Sequence, residues 1–119
     1  MSTSISPKRG EIWLVNLDPT IGAEIKKKRP AIIINSDAVG ILPLKLIAPI
    51  TDWKPFFINN IWHVQINPDS NNGLTKESVV DVLQLRGVDI RRFIKKMGFV
   101  ENNKLEEIVL AIAAVIELP

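Results

Sequence analysis

The segment Gly22-Ala23-Glu24-Ile25-Lys26-Lys27-Lys28-Arg29-Pro30 carries the residue types that most suggest chemistry. Four consecutive cations create a local field of one sign, with Glu24 beside them. Nucleic-acid phosphates are the natural ligand of such a patch; a solvated loop is the plain alternative. Arg29 directly precedes an apolar run, so its position is fixed in the way a catalytic group requires. A guanidinium that stays protonated suits a phosphate whose charge grows in a transition state.

Thr51 closes an apolar run and opens a loop, where its hydroxyl either faces a ligand or only forms a turn. Trp53, Lys54, Phe56 and Phe57 follow it. Aromatic rings beside cations form a stacking platform for single-stranded bases, and they equally cap the end of a small sheet. His63 sits within an apolar run and reads as structural. Asp69-Ser70-Asn71-Asn72-Gly73 imitates the start of a calcium loop, but Val80 stands where the twelfth-position glutamate belongs, so no metal is expected there. Glu77 and Asp81 are scattered singly, and no phosphate-binding glycine motif occurs. With no Cys and one His, thiolate nucleophiles, disulfides and His-pair acid–base chemistry are excluded.

These residues must be positioned by short elements. Strands are expected at Glu11–Leu17, Pro30–Asn35, Leu44–Ile50, Ile61–Ile66, Ser78–Leu85 and Ile94–Val100, the fifth as one strand or as two short ones meeting at a bend. The run Pro30–Asn35 reads as buried on both faces, and Pro49 marks an edge, a bulge or a strand end. Between them lie the charged loop Thr20–Arg29, the loops Ser36–Pro43 and Thr51–Asn60, and the turn-rich connector Asn67–Lys76. Asp89–Phe93 reads as a single helical turn. A helix is expected over Leu105–Leu118, with Asn103 as N-cap and Glu106 completing a capping box. Past residue 107 it is apolar nearly all round, so it is either deeply buried or docked on another chain.

The chain has 119 residues, 15 Lys+Arg and 13 Asp+Glu. That length is one small domain: residues 8–119, preceded by a flexible tail over 1–7. Its composition excludes a disordered chain. Residues 1–60 hold eight basic and five acidic residues, 61–119 seven and eight, so the positive charge lies in the first half. The longest apolar run, Ile108–Ile116, is nine residues, against about 20 for a membrane span. No membrane association and a cytoplasmic location are therefore expected. The fold class expected is mainly β with a C-terminal α-helix, as a small antiparallel barrel.

Four stretches together resemble the MazF/PemK family of bacterial type II toxin–antitoxin toxins: Lys8-Arg9-Gly10-Glu11-Ile12-Trp13-Leu14-Val15, Leu17-Asp18-Pro19-Thr20, Gly22-Ala23-Glu24, and Lys28-Arg29-Pro30 through Asp37. Ala48-Pro49-Ile50-Thr51, Gly73-Leu74 through Ser78-Val79, Gln84-Leu85-Arg86 and Arg92 with Lys96-Met97-Gly98 extend the likeness more loosely. The resemblance implies an SH3-like barrel, a homodimer, inhibition by a cognate antitoxin, and metal-independent endoribonuclease activity on single-stranded RNA. That activity cuts at a short specific sequence, leaving a 2′,3′-cyclic phosphate and a 5′-hydroxyl. The family's arginine, threonine and glutamate fall on Arg29, Thr51 and Glu24, the expected catalytic set. Lys26, Lys27, Lys28, Trp53, Lys54, Phe56 and Gln84 are the expected RNA contacts; no cofactor or metal is expected. Leu83 departs from the family, where an acidic residue often precedes the glutamine. Two other readings compete: a gyrase-binding toxin of the CcdB type and a plain SH3-like binding module. The first lacks the aromatic expected at its C-terminal end, which here is Val115-Ile116-Glu117-Leu118-Pro119.

Overall fold

The computed structural model describes residues 5–119. Seven strands form an antiparallel sheet: β1 (Glu11–Asn16), β2 (Lys28–Ile33), β3 (Leu44–Asp52), β4 (His63–Ile66), β5 (Ser78–Asp81), β6 (Arg86–Asp89) and β7 (Phe93–Phe99). One helix, α1 (Asn102–Val115), follows. The strand order is β4-β5-β3-β2-β1-β7, with β6 pairing β3 off that path. The expected mainly-β fold with a C-terminal helix is found, but β4 and β7 do not join, so the barrel is open.

Side-chain alternation builds two cores, one on each face of the central strands. Ile12, Ile32, Ala48 and Ile50 face the helix side with Ile108. Val15, Ala31, Ile33 and Ile47 face the other with Trp13 and Phe93. β2 is therefore buried on both faces, as its unbroken apolar run requires.

β3 positions the site by changing partners. It pairs β6 over Leu44–Ile47, β2 over Ile47–Pro49 and β5 over Ile50–Asp52. Pro49 lies where β3 leaves β2, and a residue with no N–H lets a ladder part without orphaning a donor. The strand consequently continues past the proline to Asp52, further than expected.

Several expectations need correction. Met1–Ser4 of the expected tail 1–7 lie outside the described residues; Ile5 packs on the second core and Pro7 is buried, so packed chain begins before Lys8. The stretch Ser78–Leu85 ends as a strand at Asp81, whose carboxylate accepts from Leu83 N at 3.0 Å and caps a 3-10 turn over Val82–Gln84. Asn103 does not cap the helix. Leu105 N bonds Glu101 O at 3.0 Å, starting the helix earlier, and Asn103 Oδ1 accepts from Lys104 N inside it. The helix stops at Val115 rather than Leu118: Leu118 N bonds Ala113 O and Glu117 N bonds Ala114 O, with Glu117 at φ +59, a Schellman ending. Nor is the helix deeply buried. Only Ile108 is, while Leu110, Ile116 and Leu118 are 68%, 65% and 63% exposed. Among the described residues no helix is long and apolar enough to cross a membrane.

Candidate active site

Arg29 and Thr51 meet where β2 and β3 part. The β2–β3 ladder ends with Ala31 opposite Pro49, and Arg29 and Thr51 each lie two residues beyond that last pair. Both line one cavity of about 130 Å³, with Lys28, Asp52, Lys76 and Ser78 around them. Both lie inside strands rather than on loops as the sequence suggested: β2 begins at Lys28, and Thr51 pairs with Val79 of β5. A strand backbone fixes them more firmly than a loop would. Arg29 is half-buried, and its Nε donates to Lys26 O at 3.4 Å.

Lys76, which the sequence places only in the connector, also reaches the site. Its Nζ lies 3.1 Å from Asp52 Oδ1 at the cavity rim, adding a cation there. It arrives because the turn at Asn71–Gly73 lies tightly on β7: a Cβ on Gly73 would stand 2.2 Å from Met97 O. Its only signal in the sequence is that it precedes the strand that pairs with Thr51.

The cationic loop between β1 and β2 is closed at its neck. Leu17 N bonds Lys27 O at 2.9 Å, and Asp18 Oδ1 accepts from Lys27 N at 3.0 Å. Arg86 Nη1 donates to Leu17 O at 3.3 Å, and Arg92 Nη1 donates to Asn16 O at 3.2 Å and to Asp18 O. Lys26, Lys27 and Lys28 are exposed. Glu24 does not line the Arg29–Thr51 cavity. It lines a neighbouring one of about 350 Å³ with Gln84, Pro49 and Arg86, and its Oε1 accepts from Ile21 N at 2.7 Å. Gln84 has both ends of its amide engaged: Oε1 accepts from Ile25 N at 2.6 Å and Nε2 donates to Asp81 Oδ2 at 3.1 Å.

The loop after β3 carries the rings. Phe56 is 74% exposed, and Lys54 is exposed beside it. Trp53 and Phe57 are half-buried. Phe57 packs edge-on to Trp53 and Phe56, with centroids 6.1 and 4.7 Å away, and lies over the His63 ring at 4.2 Å. His63 packs against this loop. Among the described residues no group of His, Cys, Asp and Glu could hold a metal ion.

The profile of the PemK-like, MazF-like toxins of type II toxin–antitoxin systems matches residues 8–116. The chain belongs to this family. The endoribonuclease toxin ChpB of Escherichia coli strain K12 is 32% identical over 112 residues, covering 92% of this chain and 94% of the relative. The crystal structure of MazF from Deinococcus radiodurans superposes with a TM-score of 0.80 at 21% identity, covering 97% of this chain and all of that one. An endoribonuclease from a mycobacterial species, solved in complex with its cognate antitoxin, superposes with a TM-score of 0.75 at 18% identity, covering 96% and 98%. Leu83 is 61% exposed, and the carboxylate that meets Gln84 comes from Asp81.

Proposed function

We propose that this toxin is an endoribonuclease that cuts single-stranded mRNA in the cytoplasm at a short specific sequence. The substrate's own 2′-hydroxyl attacks the adjacent phosphate, leaving a 2′,3′-cyclic phosphate and a 5′-hydroxyl. The observation that carries this reading is the convergence of Arg29 and Thr51 on one small cavity. Such a reaction needs in-line positioning, proton transfer and charge stabilisation, and no enzyme nucleophile or metal. Arg29 stabilises the phosphorane, and the Thr51 hydroxyl donates to a non-bridging oxygen. Glu24 takes the 2′ proton from the adjoining cavity or orients the arginine. Lys26, Lys27 and Lys28 hold flanking phosphates, and Trp53, Lys54 and Phe56 contact bases. Gln84 serves the RNA surface through the loop it holds, since its amide is engaged within the chain.

The exposed apolar side of α1 supports a homodimer. Covering a Leu or Ile side chain returns about 1.5–3 kcal/mol, and a 119-residue monomer has little else to place over Leu110, Ile116 and Leu118. A cognate antitoxin with an acidic extended segment would lie along the cationic loop and exclude RNA. Incubating the purified toxin with a long unstructured RNA in EDTA tests the reading. Discrete fragments are expected; intact RNA would leave only a binding module.

A further inference from the structure

The cationic loop and the aromatic loop are joined by a line of side chains that passes beneath the site. Asn60 Nδ2 donates to His63 Nδ1 at 3.0 Å, which leaves the other ring nitrogen, Nε2, facing Asp81 Oδ2 at 3.6 Å. His63 and Asp81 stand directly opposite in the β4–β5 register. From the other side Gln84 Nε2 donates to the same Asp81 oxygen at 3.1 Å, and Gln84 Oε1 accepts from Ile25 N at 2.6 Å. One residue further on, Lys26 O accepts from Arg29 Nε at 3.4 Å. The His63 and Asp81 side chains are 7% and 9% exposed, so their close approach is sheltered from water.

The line has a polarity. Gln84 Nε2 donates to the Asp81 carboxylate, and His63 Nε2 approaches the same oxygen to 3.6 Å, just beyond hydrogen-bond length. A carboxylate here forces the Gln84 amide to turn its N–H inward and its oxygen towards Ile25. We propose that Asp81 is a positioning residue, its carboxylate orienting Gln84 and His63 so that the loop leading into Arg29 and the aromatic loop keep a fixed relation. The inference rests on the ribonuclease reading for its catalytic consequence alone.

Polarity supplies the test. Asp81→Asn turns an amide N–H towards Gln84; if Gln84 rotates to accept it, its own N–H meets Ile25 N–H and that bond is lost. Gln84→Glu alone sets two carboxylates against each other. Together, Asp81→Asn with Gln84→Glu restores a donor–acceptor pair between positions 81 and 84 and between position 84 and Ile25, because the carboxylate introduced at position 84 then accepts both from the amide introduced at position 81 and from Ile25 N. Amide hydrogen exchange at Ile25 and the cleavage constants are measured at neutral pH for all four proteins. Each single variant is expected to speed Ile25 exchange about tenfold and to lower kcat about tenfold, the value of one hydrogen bond to a charged group. The double variant is expected to recover most of both, a rescue that a merely structural role does not produce. Unchanged Ile25 exchange in both single variants, or a double variant no better than the worse single one, overturns the proposal. If Asp81→Asn does not fold, Gln84→Met must still free the Ile25 amide, and protection equal to wild type there overturns it as well. A wild-type protein that cuts no RNA would sink the ribonuclease reading, while the exchange data would still decide this one.

Discussion

The two loops that flank Arg29 and Thr51 are held by different physics. The cationic loop is fixed by directional bonds to its backbone: Asp18 and Leu17 to Lys27, Arg86 and Arg92 to the carbonyls at its neck, and Gln84 to Ile25. The aromatic loop has three backbone turns of its own but rests on ring packing, Phe57 against Trp53 and His63, with Phe56 left outside. Directional bonds tolerate little displacement, whereas ring contacts tolerate sliding. A transferring phosphate needs charges held to a fraction of an ångström, and base recognition by stacking tolerates several poses. The first loop is therefore assigned to rate and the second to choice of sequence.

The comparison can be broken in order of expected effect. Arg29→Ala should lower kcat by about 10²–10³, the cost of removing one preorganised charge stabiliser, with Tm little changed. Thr51→Ala should cost less, about tenfold, as one hydrogen bond to a charged oxygen. Single-turnover cleavage measures both; a loss within a few-fold for Arg29→Ala would mean the site is misplaced. Phe56→Ala should act on KM and on the pattern of cut sites, losing about 1–3 kcal/mol of stacking per base. If it lowered kcat with KM unchanged, the division of labour between the loops would be wrong. Replacing Lys26, Lys27 and Lys28 together by Ala should flatten the log–log salt dependence of RNA binding by about 0.7 for each phosphate no longer neutralised. An unaltered slope would reduce the tract to a solvated loop.

Glu11, at the far end of β1, supplies a contrast with no catalytic part. Burial raises its carboxyl pKa, but the Lys8 N–H, the Trp13 indole and Lys96 outweigh it and hold the group below its ordinary 4.5. A lowered folded value means stability present above the unfolded pKa and lost as pH falls through the folded one. Glu11→Gln should therefore cost about 1 kcal/mol at neutral pH, and its Tm deficit should close below pH 4.5. A deficit that persists in acid would mean packing, not charge, holds this end.

Much of this architecture is readable in the sequence because it obeys local rules. The apolar run of β2 predicts burial on both faces, and the Arg-Pro step and Thr51 stand out by residue type and by resemblance. What stays hidden depends on register. Asp81 is a stray acid in the sequence until β4 and β5 pair and set it opposite His63. Lys76 reaches the site through a turn seated tightly on β7 that no spacing announces. The strand limit before Arg29 shifts because Lys28 and Arg29 pair with Asn16 and Val15 of β1, and the one at Thr51 because β3 changes partners at Pro49, where local sequence reads as an end. The helix start moves because a backbone carbonyl, not the Asn103 side chain, begins the first turn.

The central claim is that Arg29 and Thr51 drive attack by the RNA's own 2′-hydroxyl without a metal. The most direct measurement is the chemistry of the ends produced when the purified toxin meets a long single-stranded RNA in EDTA. The account predicts discrete fragments whose 5′ ends are hydroxyls, open to phosphorylation by a kinase, and whose 3′ ends carry a 2′,3′-cyclic phosphate. Cleavage that requires a divalent cation, or that leaves 5′-phosphates, would contradict it.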